Sequence, residues 1–141
     1  MDFKKCSKIN NNKIISTYEN HKAFIINNVG LRIISKVKVD GCLITDDRIR
    51  CDYLFEIDEP IRKVIYLELK GKNVNKAYEQ LEATIGYLKK RHNSKVVKKR
   101  AYIISSRVPQ AGADVQQLKS SMAKDCNVQL VVRNRKVEIA I

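Results

Sequence analysis

The chain has 141 residues, and its 28 Lys and Arg residues against 15 Asp and Glu residues give a formal net charge of +13 with both His residues neutral. This length suits a single domain with one hydrophobic core, and a hydrophobic share of 44% argues against disorder. No apolar run reaches the roughly 18 residues of a membrane-spanning helix and no apolar signal segment follows Met1–Lys5, so we expect a cytoplasmic protein without a membrane partner.

The first quarter of the chain predicts a loose start followed by a helix. Residues 1–13 are polar and rich in Lys and Asn, which indicates little regular structure. Ser16 and Glu19 have the spacing of a capping box, with a hydroxyl at the N-cap and a carboxylate three residues later. We therefore predict a helix from Ser16 to about Asn28, ended by Gly30.

Three strands and a hairpin are predicted next. Ile, Val and interspersed basic residues between Leu31 and Val39 are typical of a strand, and the Asp40-Gly41 pair indicates a turn. Residues 50–57 and 64–70 predict two further strands that form a hairpin through the turn at 58–62.

The second half of the chain alternates helices and strands. Apolar positions at helical spacing predict a helix over residues 75–91, and a similar pattern predicts another over residues 114–126. A strand over residues 100–105 lies between them. Two closing strands, over residues 128–132 and 137–141, are predicted to form a C-terminal hairpin around residues 133–136.

The four cysteines lack the paired spacing of a zinc knuckle or a redox motif. We therefore predict that they are reduced thiols. They are Cys6, Cys42, Cys51 and Cys126.

The hairpin over residues 50–70 brings together the residues that could carry chemistry. A turn centred on Pro60 sets Asp52 opposite Glu68, because each lies eight residues from the proline. Opposed side chains on one sheet face have Cβ atoms about 4.5 to 5.5 Å apart, and two like charges there are destabilising unless a cation compensates them. Lys70 leaves the same face as Glu68.

This arrangement suits a divalent cation such as Mg²⁺ or Mn²⁺. Magnesium is usually held by one or two carboxylates with waters and substrate phosphate oxygens, so Asp52, Glu68 and the carbonyl of Leu69 form a partial ligand set. The cation would activate water and polarise a phosphodiester, and Lys70 would orient that water or stabilise developing charge. The alternative is an ordinary solvated sheet face, and a register slip of one residue would separate Asp52 from Glu68.

The segments Cys51–Phe55 and Tyr66–Gly71, followed by a helix with Ala77 and Gln80, resemble the PD-(D/E)XK nuclease superfamily, which has the restriction-endonuclease-like fold. The core order of that superfamily is helix, three strands, helix, strand, which is similar to the order predicted from Ser16 to Ser105. The resemblance implies an α/β fold with this core, to which our prediction adds a helix and a C-terminal hairpin. It also implies that an Asp and a Glu bind the metal and that a Lys serves the attacking water, which are here Asp52, Glu68 and Lys70.

The chain departs from the family pattern at several positions. Cys51 replaces the Pro that precedes the Asp. Glu19 is the candidate for the metal-binding Glu of the first helix, although the capping box offers it another role. Gln80 resembles the helix Gln of RecB-type relatives, but Thr84 stands where a Tyr is expected, and Gln80 is alternatively a boundary polar residue. His21 and His92 are in no recognisable catalytic arrangement, and we predict that both are surface residues.

The net charge favours a nucleic-acid partner, since Lys and Arg contacts to phosphates release counterions; a merely solubilising surface is the alternative. The basic residues cluster in two stretches, to which we add Lys72 beside the site. The predicted nucleic-acid contacts are Lys72, Lys89, Lys90, Arg91, Lys95, Lys98, Lys99, Arg100, Arg133, Arg135 and Lys136.

Together these features predict a Mg²⁺- or Mn²⁺-dependent nuclease that cuts DNA, or alternatively RNA, with weak sequence specificity and in a homodimer. Two other functions stay open at this point. One is a nucleic-acid-binding module of the same fold without turnover. The other is a basic interaction protein in defence or counter-defence.

Overall fold

The computed structural model describes residues 1–69, 73–93, 95–106 and 112–141. Within these ranges the chain forms a mixed α/β structure with three helices and two sheets. The helices are α1 (Phe3–Cys6), α2 (Val74–Tyr87) and α3 (Gly112–Cys126). The strands are β1 (Ser7–Asn10), β2 (Ile14–Glu19), β3 (Lys22–Asn27), β4 (Ile34–Lys38), β5 (Tyr53–Ile57), β6 (Lys63–Glu68), β7 (Lys98–Ser105), β8 (Gln129–Asn134) and β9 (Lys136–Ala140).

The larger sheet has six strands in the order β1-β4-β5-β6-β7-β8. Neighbours from β1 to β6 are antiparallel, whereas β6, β7 and β8 run parallel. The parallel neighbours are connected through α2 and α3, as parallel pairs require a crossover. The smaller sheet has the order β2-β3-β9.

Each face of the larger sheet packs against a different layer. Leu54, Tyr66 and Ile103 contribute to a core between this sheet and the helices, which includes Leu81 of α2 and Met122 of α3. The alternating residues of the same strands form a second core against the smaller sheet. The molecule therefore has three layers, with the six-stranded sheet in the middle.

Most of the predicted strands and helices are present. The strand predictions for 31–39, 50–57, 64–70 and 100–105 correspond to β4, β5, β6 and β7, and the helices predicted over 75–91 and 114–126 correspond to α2 and α3. α2 ends four residues earlier than predicted, at Tyr87. The predicted apolar face of α2 is buried, including Leu81 and Thr84.

The helix predicted from Ser16 to Asn28 is wrong, because this segment is the β2–β3 hairpin. Ile15 and Thr17 are buried while Ser16 and Tyr18 are exposed, which is the period of two of a strand. Asn20 and His21 both have positive φ angles, 53° and 61°, the combination that a two-residue type I′ hairpin turn requires. Packing of the alternating side chains therefore outweighs the capping-box pattern.

The N-terminal residues are more ordered than predicted. Asp2 caps α1 by accepting a hydrogen bond from the Lys5 N–H at 3.1 Å, and β1 pairs with β4. Cys6 and Cys42 form a disulfide, so the prediction of four reduced thiols is wrong for this pair. Cys51 and Cys126 are free thiols.

The predicted C-terminal hairpin is also wrong, although both strands exist. β8 is an edge strand of the larger sheet and pairs with β7, whereas β9 pairs with β3 in the smaller sheet. Arg135 has a φ of 62° and connects the two layers. Its N–H donates to the Ser105 carbonyl at 3.1 Å, and its carbonyl accepts from the Ala23 N–H at 2.9 Å.

The order β4-β5-β6-α2-β7 matches the three strands, the second helix and the fourth strand of the predicted core. The first helix of that core is not found between residues 16 and 28, and α1, which precedes the sheet, has only four residues. None of the helices in the described ranges has the length and apolar character needed to cross a membrane. The assignment to a restriction-endonuclease-like core stays a prediction.

Candidate active site and basic groove

The β5–β6 hairpin has the predicted register. Tyr53 pairs with Leu67 and Leu54 with Tyr66, and the Asp52 N–H donates to the Leu67 carbonyl at 3.2 Å. The ladder ends at the Tyr53–Leu67 pair, and Asp52 and Glu68 are the next residues of the two segments. The two acidic residues are close enough to Cys51, a residue of the helix-side core, for both negative charges to act on its thiol.

The two acidic residues are almost completely buried, with exposed fractions of 3% for Asp52 and zero for Glu68. The Leu69 N–H donates to Asp52 Oδ2 at 2.8 Å, which fixes the orientation of this carboxylate. Leu69 itself is packed in the core between the sheets. Two buried carboxylates at the end of one ladder favour positive charge in their surroundings.

Thr84 attaches helix α2 to the start of β5. The Cys51 N–H donates to Thr84 Oγ1 at 2.8 Å, and the Thr84 hydroxyl donates to the Gln80 carbonyl at 2.9 Å. Burial raises the pKa of the Cys51 thiol, and the negative charges of Glu68 and Asp52 raise it further. The residue found in place of the expected Tyr therefore has a structural role that positions the helix beside the acidic pair.

Gln80 and Asp52 line one cavity of about 330 Å³ together with Lys76 and Arg48. Gln80 is partly exposed, so its amide is accessible to a ligand in this cavity. A catalytic role for Gln80 stays a prediction.

Glu19 also lies near Asp52, although it is not on a helix. It is the last residue of β2 and pairs with the buried Lys22 across the hairpin turn. Glu19 and Asp52 line a small cavity of about 90 Å³. The smaller sheet, and not a helix, thus positions Glu19 at this cavity.

Asp40 is a fourth acidic residue at this edge that the sequence analysis treated only as part of a turn. It lines both cavities beside Asp52, and its N–H donates to the Asp52 carbonyl at 3.2 Å. Arg50 Nε donates to Asp40 Oδ1 at 2.9 Å. An Asp-Gly pair after a strand is such a common turn signal that the sequence offered no hint of this position.

No group of three or more His, Cys, Asp or Glu side chains is placed to hold a metal ion within the described ranges. Two of the predicted site residues, Lys70 and Lys72, lie outside those ranges. The predicted ligands Asp52, Glu68, Leu69 and Glu19 are all described. Their metal binding stays a prediction.

Five of the predicted nucleic-acid contacts line one groove of about 720 Å³ along the edge strand β8 and helix α3. Lys119 of α3, which the sequence analysis did not select, also lines it. None of the described residues that line the groove is acidic. The five predicted residues are Lys95, Lys98, Lys99, Arg100 and Arg133.

The other basic residues lie elsewhere. Arg91 binds Glu56 and packs over the ring of Phe3, with the guanidinium carbon 3.6 Å from the ring centroid. Lys89 lines a different cavity, and Lys90 is exposed after α2. Arg135 and Lys136 lie at the crossover between the sheets, so among the predicted residues of the second cluster only Arg133 lines the groove.

The prediction that His92 is a surface residue is wrong. Only 1% of it is exposed, and its Nε2 lies 2.5 Å from Glu56 Oε2 while its Nδ1 lies 2.7 Å from the Tyr66 hydroxyl. Arg91 donates two further hydrogen bonds to the Glu56 carboxylate, at 2.7 and 2.9 Å. His21, in contrast, is exposed in the β2–β3 turn, as predicted.

Comparisons of the chain with protein-family models, with curated proteins and with solved structures found no match. The chemistry of the site is therefore argued from its own residues.

Proposed function

We propose that this protein is a metal-dependent nuclease that hydrolyses phosphodiester bonds in DNA. The observation that carries the proposal is the pair Asp52 and Glu68, two buried acidic residues that directly follow the Tyr53–Leu67 pair at the end of the β5–β6 ladder. A second observation supports it, because Gln80 and Lys76 line the cavity that Asp52 also lines. The site thus combines acidic, amide and basic groups in a concave place.

The donor set fits magnesium or manganese. Both are hard cations that take oxygen ligands, and magnesium is commonly held by only one or two carboxylates because waters and substrate phosphates complete its shell. Asp52 and Glu68 would hold the ion, with Glu19 and the Leu69 carbonyl as further ligands. When bound, the ion would polarise the phosphodiester and lower the pKa of a water molecule.

The residues of the chain itself would orient the reacting groups. The hydrogen bond from the Leu69 N–H restrains the Asp52 carboxylate, so little reorganisation is needed when the site is filled. Lys76 and Gln80 would contact phosphate oxygens at the cavity. Lys70 keeps the role that the family resemblance implies, in which it serves the attacking water.

The basic groove supports a polynucleotide substrate. Lys98 of β7 is level with Lys63 of β6, whereas Arg133 of β8 is level with Ile104, one residue beyond Ile103, which is level with Glu68. The six residues from Lys98 to Ile104 span about 20 Å at roughly 3.3 Å per residue, or about six nucleotides at 3.4 Å each. A substrate that lies along the groove therefore reaches the level of the acidic pair.

The proposal is tested by incubating the protein with circular, linear, branched and single-stranded DNA in Mg²⁺, in Mn²⁺ or in chelator. We expect cleavage by the wild-type protein that stops in chelator and falls at least a hundredfold in Asp52→Asn and Glu68→Gln, because each loses a charged metal ligand. Glu138→Gln is the matched control, since Glu138 is an exposed carboxylate on β9. Thermal unfolding of each variant distinguishes loss of chemistry from loss of folding.

Cleavage that persists in chelator, or that is unchanged in both site variants, would overturn the metal-dependent mechanism. Absence of cleavage by the wild-type protein on all substrates would favour the second candidate, a nucleic-acid-binding module without turnover. The basic groove favours that candidate specifically, since backbone binding needs only its lysines and arginines. The homodimer stays a prediction, and size-exclusion chromatography with light scattering would test it.

A further inference from the structure

A separate cavity of about 520 Å³ lies between the C-terminal parts of α2 and α3. Tyr66 and His92 contribute to its wall, and Ile85 and Gly86 add an apolar part. Its charged lining consists of four lysines and two carboxylates: Lys89, Lys95, Lys99, Lys124, Glu82 and Asp125. This volume falls within the range of about 300 to 1,000 Å³ typical of small-molecule sites.

A buried hydrogen-bond chain fixes the deepest polar groups of this cavity. The Glu56 carboxylate, held by Arg91, lies 2.5 Å from His92 Nε2, and His92 Nδ1 lies 2.7 Å from the Tyr66 hydroxyl. An ionised Glu56 accepts the hydrogen of Nε2, which orients the imidazole. Tyr66 and His92 are themselves 0% and 1% exposed, so this chain of hydrogen bonds forms a fixed base beneath the cavity, and the exposed lysines and carboxylates at its rim are the groups that a ligand can reach.

The cavity is continuous with the basic groove. Lys95, Lys99 and Asn127 line both. A nucleic-acid chain lying in the groove would thus have a nucleotide-sized space beside it, entered between lysines.

We propose that this cavity binds a nucleotide, with its phosphate on the lysines and its base against Ile85 and the polar groups of the wall. Binding of a nucleotide in this cavity requires neither Asp52 and Glu68 nor a metal ion. The inference rests on the proposed function only in taking nucleic acid as the class of partner. Glu82 and Asp125 would repel a bare phosphate but would accept hydrogen bonds from the exocyclic amino group of a base. The nucleotide would be either a free mononucleotide or one residue of a chain held in the groove.

The binding test uses calorimetric titration in chelator with dAMP, dCMP, dTMP and inorganic phosphate as probes. We expect saturable binding of dAMP and dCMP that is stronger than binding of dTMP or phosphate. Lys89→Gln/Lys124→Gln should weaken dAMP binding at least tenfold, which corresponds to about 1.4 kcal/mol, because it removes two charged donors from the phosphate site. These two lysines line the cavity but not the groove.

Three further variants separate a specific site from general attraction. Tyr66→Phe keeps the ring and removes only the buried hydroxyl that bonds His92 Nδ1, so it should weaken dAMP binding less than Lys89→Gln/Lys124→Gln does. Lys13→Gln, an exposed residue remote in sequence from the cavity, is the control and should bind normally. Asp52→Asn should also bind normally, so the cavity and the nuclease proposal can fail independently.

Fluorescence of 2-aminopurine distinguishes a free mononucleotide from a nucleotide of a bound chain. The probes are oligonucleotides that carry 2-aminopurine at the 5′ end, at the 3′ end or internally. A fluorescence change at one of these positions that disappears in Lys89→Gln/Lys124→Gln assigns the cavity to a nucleotide of a bound chain. Binding of dAMP without such a change assigns it to a free mononucleotide. No saturable binding of dAMP or dCMP and no fluorescence change, or equal affinity for dAMP and phosphate, would overturn the proposal.

Discussion

Glu56 is a buried carboxylate whose charge is stabilised entirely by its neighbours. Burial alone would raise its pKa, but the hydrogen bonds and charges of Arg91 and His92 outweigh burial and lower the pKa from 4.5 to about 2. Only 5% of the residue is exposed. The folded protein therefore stabilises the ionised form of the Glu56 side chain by internal contacts with Arg91 and His92.

Because the pKa of Glu56 is lowered in the folded protein, the free energy of unfolding depends on pH. A group whose pKa is lower in the folded protein stabilises it fully above about pH 4.5, and the contribution is lost as the pH falls toward 2. We expect Glu56→Gln to lose on the order of 3 kcal/mol of unfolding free energy at neutral pH and to show a flatter decline between pH 4.5 and 2. Urea unfolding at several pH values measures both, with Glu138→Gln as the control; parallel curves for the wild type and Glu56→Gln would contradict this.

Single residues were predictable where spacing alone decides their position. The register of β5 and β6, such as the pair Tyr53 and Leu67, could be predicted from the sequence because the turn centred on Pro60 fixes it. His92 could not be placed, since it lies in a polar run and becomes buried only when it meets Glu56, 36 residues away. Tertiary contacts between distant segments leave no local pattern.

The β2–β3 hairpin shows how two local signals compete within one element. Ser16 and Glu19 fit a helix start, while Asn20 and His21 supply the left-handed turn that a hairpin needs. Phe24 of β3 decides the outcome, because its ring packs against Phe55 and Tyr102 with centroid distances of 5.5 and 5.0 Å. This contact across the two sheets exists only in the strand conformation.

A glycine at position 21 distinguishes the hairpin from the helix by the sign of its effect. His21 is exposed and has a φ of 61°, a conformation that costs an L-residue roughly 1 kcal/mol and a glycine almost nothing. We expect His21→Gly to raise the unfolding free energy by about 1 kcal/mol, whereas glycine within a helix would lower it by a similar amount. Denaturant unfolding measures the change.

His21→Ala is the matched control, because it shortens the side chain without relieving the backbone. It should not increase stability. A destabilised His21→Gly variant would contradict the hairpin.

At the scale of the whole molecule, the basic groove runs along the strands of the larger sheet from the end opposite to the acidic pair. Lys98 and Arg100 lie at the start of β7, whereas Arg133, near the end of β8, lies at the level of Glu68. The sequence predicted strands and helices but not their division into two sheets, because β8 and β9 are adjacent in the chain and separate in space. The gathering of the basic residues along β8 follows from that division and had no local signal.

The groove should account for a measurable part of the salt dependence of DNA binding. Each phosphate contact contributes about 0.9 to the slope of the logarithm of the binding constant against the logarithm of salt concentration for duplex DNA. We expect Lys98→Gln/Arg100→Gln/Lys119→Gln to reduce the slope by about 2 to 3. Fluorescence anisotropy in chelator at several salt concentrations measures it.

The control for this prediction changes the net charge equally at a different place. Lys4→Gln/Lys5→Gln/Lys13→Gln removes three exposed charges from the N-terminal segment and should leave the slope nearly unchanged. Equal reductions by both triple variants would mean that net charge, and not the groove, attracts DNA.

The most direct test of the account is Mn²⁺ binding followed by electron paramagnetic resonance in the presence of a phosphorothioate duplex. If Asp52 and Glu68 hold the cation, the wild-type protein and Glu138→Gln will bind one manganese ion that Asp52→Asn and Glu68→Gln do not bind. Equal binding by all four proteins, or no binding by the wild type, would contradict the metal site on which the proposed nuclease depends.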